Sequence, residues 1–182
     1  MPKKSRIDIA SSGRLMGVHC SISGGLYNAP IEGGAIGCNA IQLFTGSNQQ
    51  WKSKAISEED AERFRCEIKL CGIKVAFSHT TYLINLAAPD SEILKKSIDA
   101  MTKELLRCEL LGIPFAVLHP GSRKDKPLDW GISRIADSIN KIVDATAGCK
   151  AKIALETTAG AGSSIGGRFE ELAEIREKVE AK

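Results

Sequence analysis

Short apolar runs alternate along this chain with longer stretches in which apolar residues recur at helical spacing. The runs cover residues 15–20, 40–44, 73–77, 115–118 and 152–155. Each is short and nearly continuously apolar, the pattern of a strand covered on both faces. The first helix is predicted over 26–36, although Pro30, Gly33 and Gly34 are poor helix formers. A second helix opens at Ser57, a good N-cap with Asp60 three residues on as a short capping-box partner, and stops at Gly72. A third spans 91–111, with Ile93, Leu94, Ile98, Met101 and Leu105 on one face and Gly112 behind it. A fourth covers 130–145, with Ile132, Ile135, Ile139, Ile142 and Val143 apolar, and a fifth covers 168–179.

Five strand–helix units in strict order predict an α/β fold with a parallel sheet, because each crossover between parallel strands needs a connecting segment such as a helix. A doubly wound sheet and a (β/α)8 TIM barrel both fit. The absence of a GxGxxG turn after the first run lowers the dinucleotide-binding alternative. A complete eight-unit barrel needs about 250 residues. On the barrel reading, these 182 residues form a C-terminally incomplete barrel over 15–182, behind a polar leader at 1–14.

Composition changes this picture little. Hydrophobic residues make up 43% and charged residues 26%, ordinary values for a globular protein. The net charge of +3 gives no general case for nucleic acid, so any such site must be local. The basic leader lacks the apolar segment of a signal peptide, and no run is long enough to span a bilayer. The six cysteines form no CxxC pair and are expected to be reduced, mostly buried thiols of a cytoplasmic protein.

The chemistry-bearing residues fall at the ends of the runs. His19 closes the first, His79 lies just past the third, His119 follows the fourth and Glu156 the fifth. In parallel α/β folds these C-terminal ends form one face, where active sites lie. Two imidazoles and a carboxylate, His79, His119 and Glu156, make a plausible zinc ligand set for hydrolysis. His19, on the first strand, is expected to be structural or supporting. Gly121 and Ser122 follow His119, and a Gly/Ser-rich stretch follows Glu156. Such turns can hold phosphate through backbone amides, although alone they read as flexible loops. Gln49, Gln50 and Trp51 in one loop, and Tyr82 and Leu83 in the next, could enter a base stack or simply cover the rim.

Taken together, GVHCSISGG at 17–25, IQLFT at 41–45 with Gln50-Trp51, HTTYLINL at 79–86, LHPGS at 118–122 and LETTAG at 155–160 resemble the endonuclease IV family. The resemblance runs from about Leu15 to the end. It implies a zinc-dependent, class II apurinic/apyrimidinic endonuclease that cuts the phosphodiester 5′ to an abasic site in double-stranded DNA. Such an enzyme serves base excision repair. It also implies up to three zinc ions, with His79 and His119 on one and Glu156 bridging to a second as the catalytic carboxylate. Tyr82 and Leu83 match residues that enter the duplex. Gln49 stands where many members carry arginine, and Thr80 stands where they carry aspartate.

The family's remaining ligands come from strands beyond the fifth helix, so this chain is expected to be weakly active or inactive alone, and a monomer. Two rivals remain. One is a metal-dependent sugar isomerase or epimerase of the xylose isomerase-like barrel group, which needs a closed pocket where a DNA enzyme needs protruding loops. The other is a non-catalytic remnant.

Overall fold

The computed structural model describes residues 13–180. The polar leader read at 1–14 therefore lies outside the described residues, save Gly13 and Arg14, and so do Ala181 and Lys182.

The apolar runs become five parallel strands: β1 (Gly17–His19), β2 (Ala40–Phe44), β3 (Val75–His79), β4 (Phe115–Leu118) and β6 (Lys152–Leu155). They hydrogen-bond in the order β1-β2-β3-β4-β6, an open parallel sheet of five strands with its two edges unjoined. The intervening helices are α1 (Asn28–Ala35), α2 (Glu58–Leu70), α3 (Ser91–Leu111), α4 (Leu128–Ala145) and α5 (Phe169–Lys178). Two short strands, β5 (Gly121–Ser122) and β7 (Ser164–Ile165), pair antiparallel across the loops after β4 and β6. That ribbon is not legible in the sequence, because two residues carry no alternation to read.

Local chemistry sets the helix ends. The Ser57 hydroxyl accepts from the Asp60 amide at 3.1 Å, and the Asp90 carboxylate accepts from the Ile93 amide at 2.8 Å. Gly112 closes α3 in the left-handed region at φ 71°. The weak-looking α1 forms because its glycines serve packing. A Cβ on Gly33 would come within 2.5 Å of the Ile41 side chain, so only glycine lets this helix lie against β2. Pro30 sits in the first turn, where a missing N–H costs little. α4 starts two residues before the predicted position, at Leu128 behind Pro127.

Strand alternation divides the sheet into two faces. Ile41, Leu43, Ala76, Ser78, Ala116 and Leu118 are buried, and the apolar ones pack in one core with Phe64, Met101, Leu105, Ile135 and Ile142 of the helices. The other face is only partly covered, and Phe115 on it is 38% exposed. The expectation of strands buried on both faces is thus met on one face of the central strands β2, β3 and β4 only; β1 is exposed and β6 exposed or half-buried, because both lie at the edges of the sheet.

Among the described residues, no helix is long and apolar enough to cross a membrane. All six cysteines are free. Only Cys20 and Cys108 are fully buried, which corrects the expectation of mostly buried thiols: Cys66 is exposed, because it falls on an outer position of α2.

Candidate metal centre

The register that builds the sheet also builds the site. Phe44, His79, Val117 and Ala154 pair in one row across β2, β3, β4 and β6. His119 and Glu156 lie two residues beyond Val117 and Ala154, so they return to the same face one step nearer the C-terminal rim. The amide of Glu156 donates to the Leu118 carbonyl at 2.9 Å, extending the ladder to the ligand itself. His79 is the last residue of β3, which runs over 75–79 where the apolar run suggested 73–77. The strand ends on a buried imidazole because its rim position faces the site, not solvent.

His79, His119 and Glu156 each offer a ligand atom, and these atoms lie within 4.8 Å of one another. His79 Nε2 is 3.1 Å, and His119 Nε2 3.7 Å, from the same Glu156 oxygen. Ligands at zinc-like bond lengths on a tetrahedral ion sit about 3.4 Å apart, so both spacings suit a shared cation. The protonation pattern argues the same way. His79 Nδ1 is 2.8 Å from the Thr80 carbonyl, which can only accept, so the proton sits on Nδ1 and the Nε2 lone pair is turned toward the carboxylate. Two acceptors 3.1 Å apart repel unless a cation or an extra proton lies between them. The donor set therefore fits a divalent metal. The bond from Nδ1 to a carbonyl is the usual partner that fixes a metal-binding imidazole.

His19 stays outside this trio. Its ring packs on Phe44 with centroids 4.5 Å apart, and its Nδ1 meets the Gln42 side chain at 3.0 Å. Phe44 in turn touches His79 and Tyr82 edge-on. Tyr82 is 63% exposed and leans on the His79 ring at 5.5 Å, so it forms a wall of the mouth. Leu83 is half-buried beside it, and Gln49 is exposed on the neighbouring loop. The Asn48 carbonyl accepts from the Thr81 hydroxyl at 2.8 Å and from the Tyr82 amide at 3.3 Å, which joins the two loops.

Gly121 and Ser122 belong to the β5–β7 ribbon. One side chain that the sequence did not single out, Asn85, holds this ribbon to the loop carrying Tyr82. Its carbonyl oxygen accepts from the amides of Ser122 at 2.9 Å and Ala87 at 3.0 Å, and its amide donates to the Ser122 carbonyl at 2.9 Å. The hydroxyls of Ser122 and Ser163 lie 2.7 Å apart. Three loops are thus joined by local polar bonds.

A second unforeseen group lies beneath the site. The Glu104 carboxylate on α3 accepts from the hydroxyls of Ser78, next to His79, and of Thr45. Burial pushes its carboxyl above the ordinary carboxylate range, while these hydroxyls and the nearby Arg107 pull it back. Burial likewise lowers the Arg107 guanidinium, against the pull of Glu104. The helical pattern of α3 hides both residues, because a charged residue on an amphipathic helix ordinarily faces solvent.

The family described as "Xylose isomerase-like TIM barrel" matches residues 34–182. The chain is 42% identical over 163 residues to "Probable endonuclease 4" of Geobacter sp. (strain M21), covering 90% of this chain and 58% of that protein. It is also 42% identical to the protein of the same name from Chloroflexus aurantiacus (strain ATCC 29366 / DSM 635 / J-10-fl), covering 90% of this chain and 57% of that one. The crystal structure of endonuclease IV from Thermus thermophilus superposes with a TM-score of 0.78 at 33% identity, over 88% of this chain and 58% of that one. A D-tagatose 3-epimerase-like protein superposes at 0.68 with 15% identity, over 88% of this chain and 60% of that one, a likeness of fold alone. The chain thus spans somewhat over half the length of the curated relatives it matches.

Proposed function

The chain belongs to the xylose isomerase-like TIM barrel family, and on that footing we propose that it is part of a zinc-dependent DNA-repair endonuclease of the endonuclease IV type, cutting 5′ to abasic sites. The observation that carries the proposal is the convergence of His79, His119 and Glu156 within 4.8 Å at the rim. The similarity to proteins named endonuclease 4 supports phosphodiester hydrolysis over other metal chemistry on this scaffold.

In this reading His79 and His119 hold one zinc, and Glu156 shares it and serves as the catalytic carboxylate. Bound zinc supplies a Lewis acid that polarises the phosphoryl group and lowers the pKa of water. The chain's own residues bind and orient the duplex. Tyr82, braced by His79 and Phe44, presents its outer edge to the DNA, with Leu83 behind it and Gln49 beside it. Of the paired Ser122 and Ser163 hydroxyls, one donates to the other. The second keeps its proton for an anion, and a phosphate oxygen is the natural acceptor. The five-unit barrel over 15–182 acts in the cytoplasm as a monomer, a location that suits six unpaired thiols. Its three ligands make one nearly complete zinc site and half of a bridge to a second, so cleavage by this chain alone is weak or absent.

The test is direct. The zinc-loaded chain is offered a duplex bearing one abasic site, the intact duplex, and ketose sugars. Preferential binding of the abasic duplex, with slow incision on its 5′ side, is the expected result. Equal affinity for both duplexes, or epimerisation of a ketose, would remove the nuclease reading.

A further inference from the structure

The loop between β2 and α2 carries Gln49, yet little apolar burial holds it. Residues 52–55 are exposed, as are Ser47, Gln49 and Gln50. A polar cavity of about 30 Å³ lies under the loop, lined by Thr45, Ser47, Gln50, Thr81, His79 and Glu104 among others. Directional bonds must therefore fix this loop, and they converge on one side chain. Arg107 Nε donates to the Thr45 hydroxyl at 2.8 Å, one terminal nitrogen donates to the Thr45 carbonyl, and the other donates to the Lys54 carbonyl at 2.7 Å. One guanidinium so grips the first and last turns of the same loop. The two ends also close on each other without it: a Cβ on Gly46 would overlap the Ser53 side chain. Glu104 completes the device, since the Thr45 hydroxyl that accepts from Arg107 itself donates to the Glu104 carboxylate at 2.8 Å.

We propose that Arg107, seated by Glu104, is a positioning residue that clamps the Thr45–Lys54 loop in the shape that presents Gln49 to DNA beside Tyr82. The inference rests on the endonuclease reading for its ligand, but the clamp itself is a property of the protein alone. A lysine in place of Arg107 cannot replace it, because a single ammonium on a flexible stem lacks the planar fork that reaches three acceptors at once. The clamp touches none of the three metal ligands directly, so loop order and metal binding are separable. The Asn48 contacts to Thr81 and Tyr82 carry the clamped shape to the neighbouring loop.

The experiment compares the full chain with Arg107→Lys and with the double variant Glu104→Gln/Arg107→Met, which removes both buried charges together and leaves neither unpaired. Three quantities are read: hydrogen exchange of the amides of residues 46–53, zinc affinity, and affinity for a zinc-supplemented duplex bearing a tetrahydrofuran abasic analogue. Loss of the clamp is expected to speed loop exchange about tenfold and weaken duplex binding about tenfold, the scale of one or two charged hydrogen bonds. Zinc affinity is expected to stay within about twofold, a split that general destabilisation would not give. Unchanged loop exchange in Arg107→Lys overturns the proposal, and so does a fall in zinc affinity parallel to that in duplex affinity. If the unaltered chain does not distinguish the abasic duplex, the endonuclease reading fails, while loop exchange still decides the clamp. Should the double variant not fold, Arg107→Lys decides by itself.

Discussion

His79 Nε2 lies 3.1 Å from a carboxylate oxygen of Glu156, although 77 residues separate them along the chain. With the His79 proton committed to the Thr80 carbonyl, that contact sets a lone pair against a negative charge. The arrangement is unfavourable unless a second imidazole proton or a cation lies between the two atoms, and a bound metal meets that need.

Zinc binding is therefore expected to depend on the trio. His119→Ala and Glu156→Ala are the better probes, since His79 is buried and its removal also disturbs packing. Each should weaken zinc affinity at least about tenfold, measured by competition with a chelating dye. Zinc at a hundredfold excess over its dissociation constant should stabilise the unaltered chain by about 2.7 kcal/mol, and EDTA should reverse the gain. Equal zinc affinity in all three proteins would move the metal elsewhere.

Glu104 predicts a pH dependence of defined sign. Burial raises its folded-state pKa, so the folded chain keeps this proton to a higher pH than the unfolded chain does. The stability it contributes is complete below the ordinary carboxylate pKa and is lost as pH rises through the raised folded value. Urea unfolding of the chain and of Glu104→Gln, compared between about pH 4 and 7, should show their difference shifting against the glutamate as pH rises. A shift in its favour contradicts the assigned direction.

Thiol reactivity should sort by burial. Burial and the nearby Glu32 push the Cys20 thiol up to about 11, and burial pushes Cys108 up as well. Cys66 is exposed. Brief alkylation followed by peptide mass spectrometry should find Cys66 modified first, with Cys20 and Cys108 modified only on unfolding. Early labelling of Cys108 would mean that α3 leaves the sheet readily.

Asn85→Ala should cost about 1–3 kcal/mol in urea unfolding, because Ser122 and Ala87 lose partners at a half-buried site. Faster amide exchange in the β5–β7 ribbon should accompany the loss. A destabilisation with no change in that ribbon would assign Asn85 to its own turn alone.

Much of this was readable in advance. The 3.6-residue period of Ile132, Ile135, Ile139 and Ile142 fixed α4, and Gly112 fixed the end of α3. Placing His79, His119 and Glu156 at strand ends was enough to expect a shared rim, because parallel strands send equivalent ends to one side. Reading failed where a residue's partner is remote. Gly33 looked like a helix fault until Ile41 stood against it, and nothing in the helical pattern marked Glu104 as the partner of Ser78 and Thr45. Asn85 and the ribbon it holds depend on contacts to a loop 37 residues away.

The order of apolar runs and helical stretches determined the class of fold, since side-chain period and solvent avoidance act locally. The spacing of the imidazoles and the carboxylate along those runs determined which face they share. Only folding decided the distances between them, the tautomer of His79, and the grip of Arg107 on both ends of one loop. Those quantities come from strand register and helix packing, which bring together groups that no sequence interval encodes.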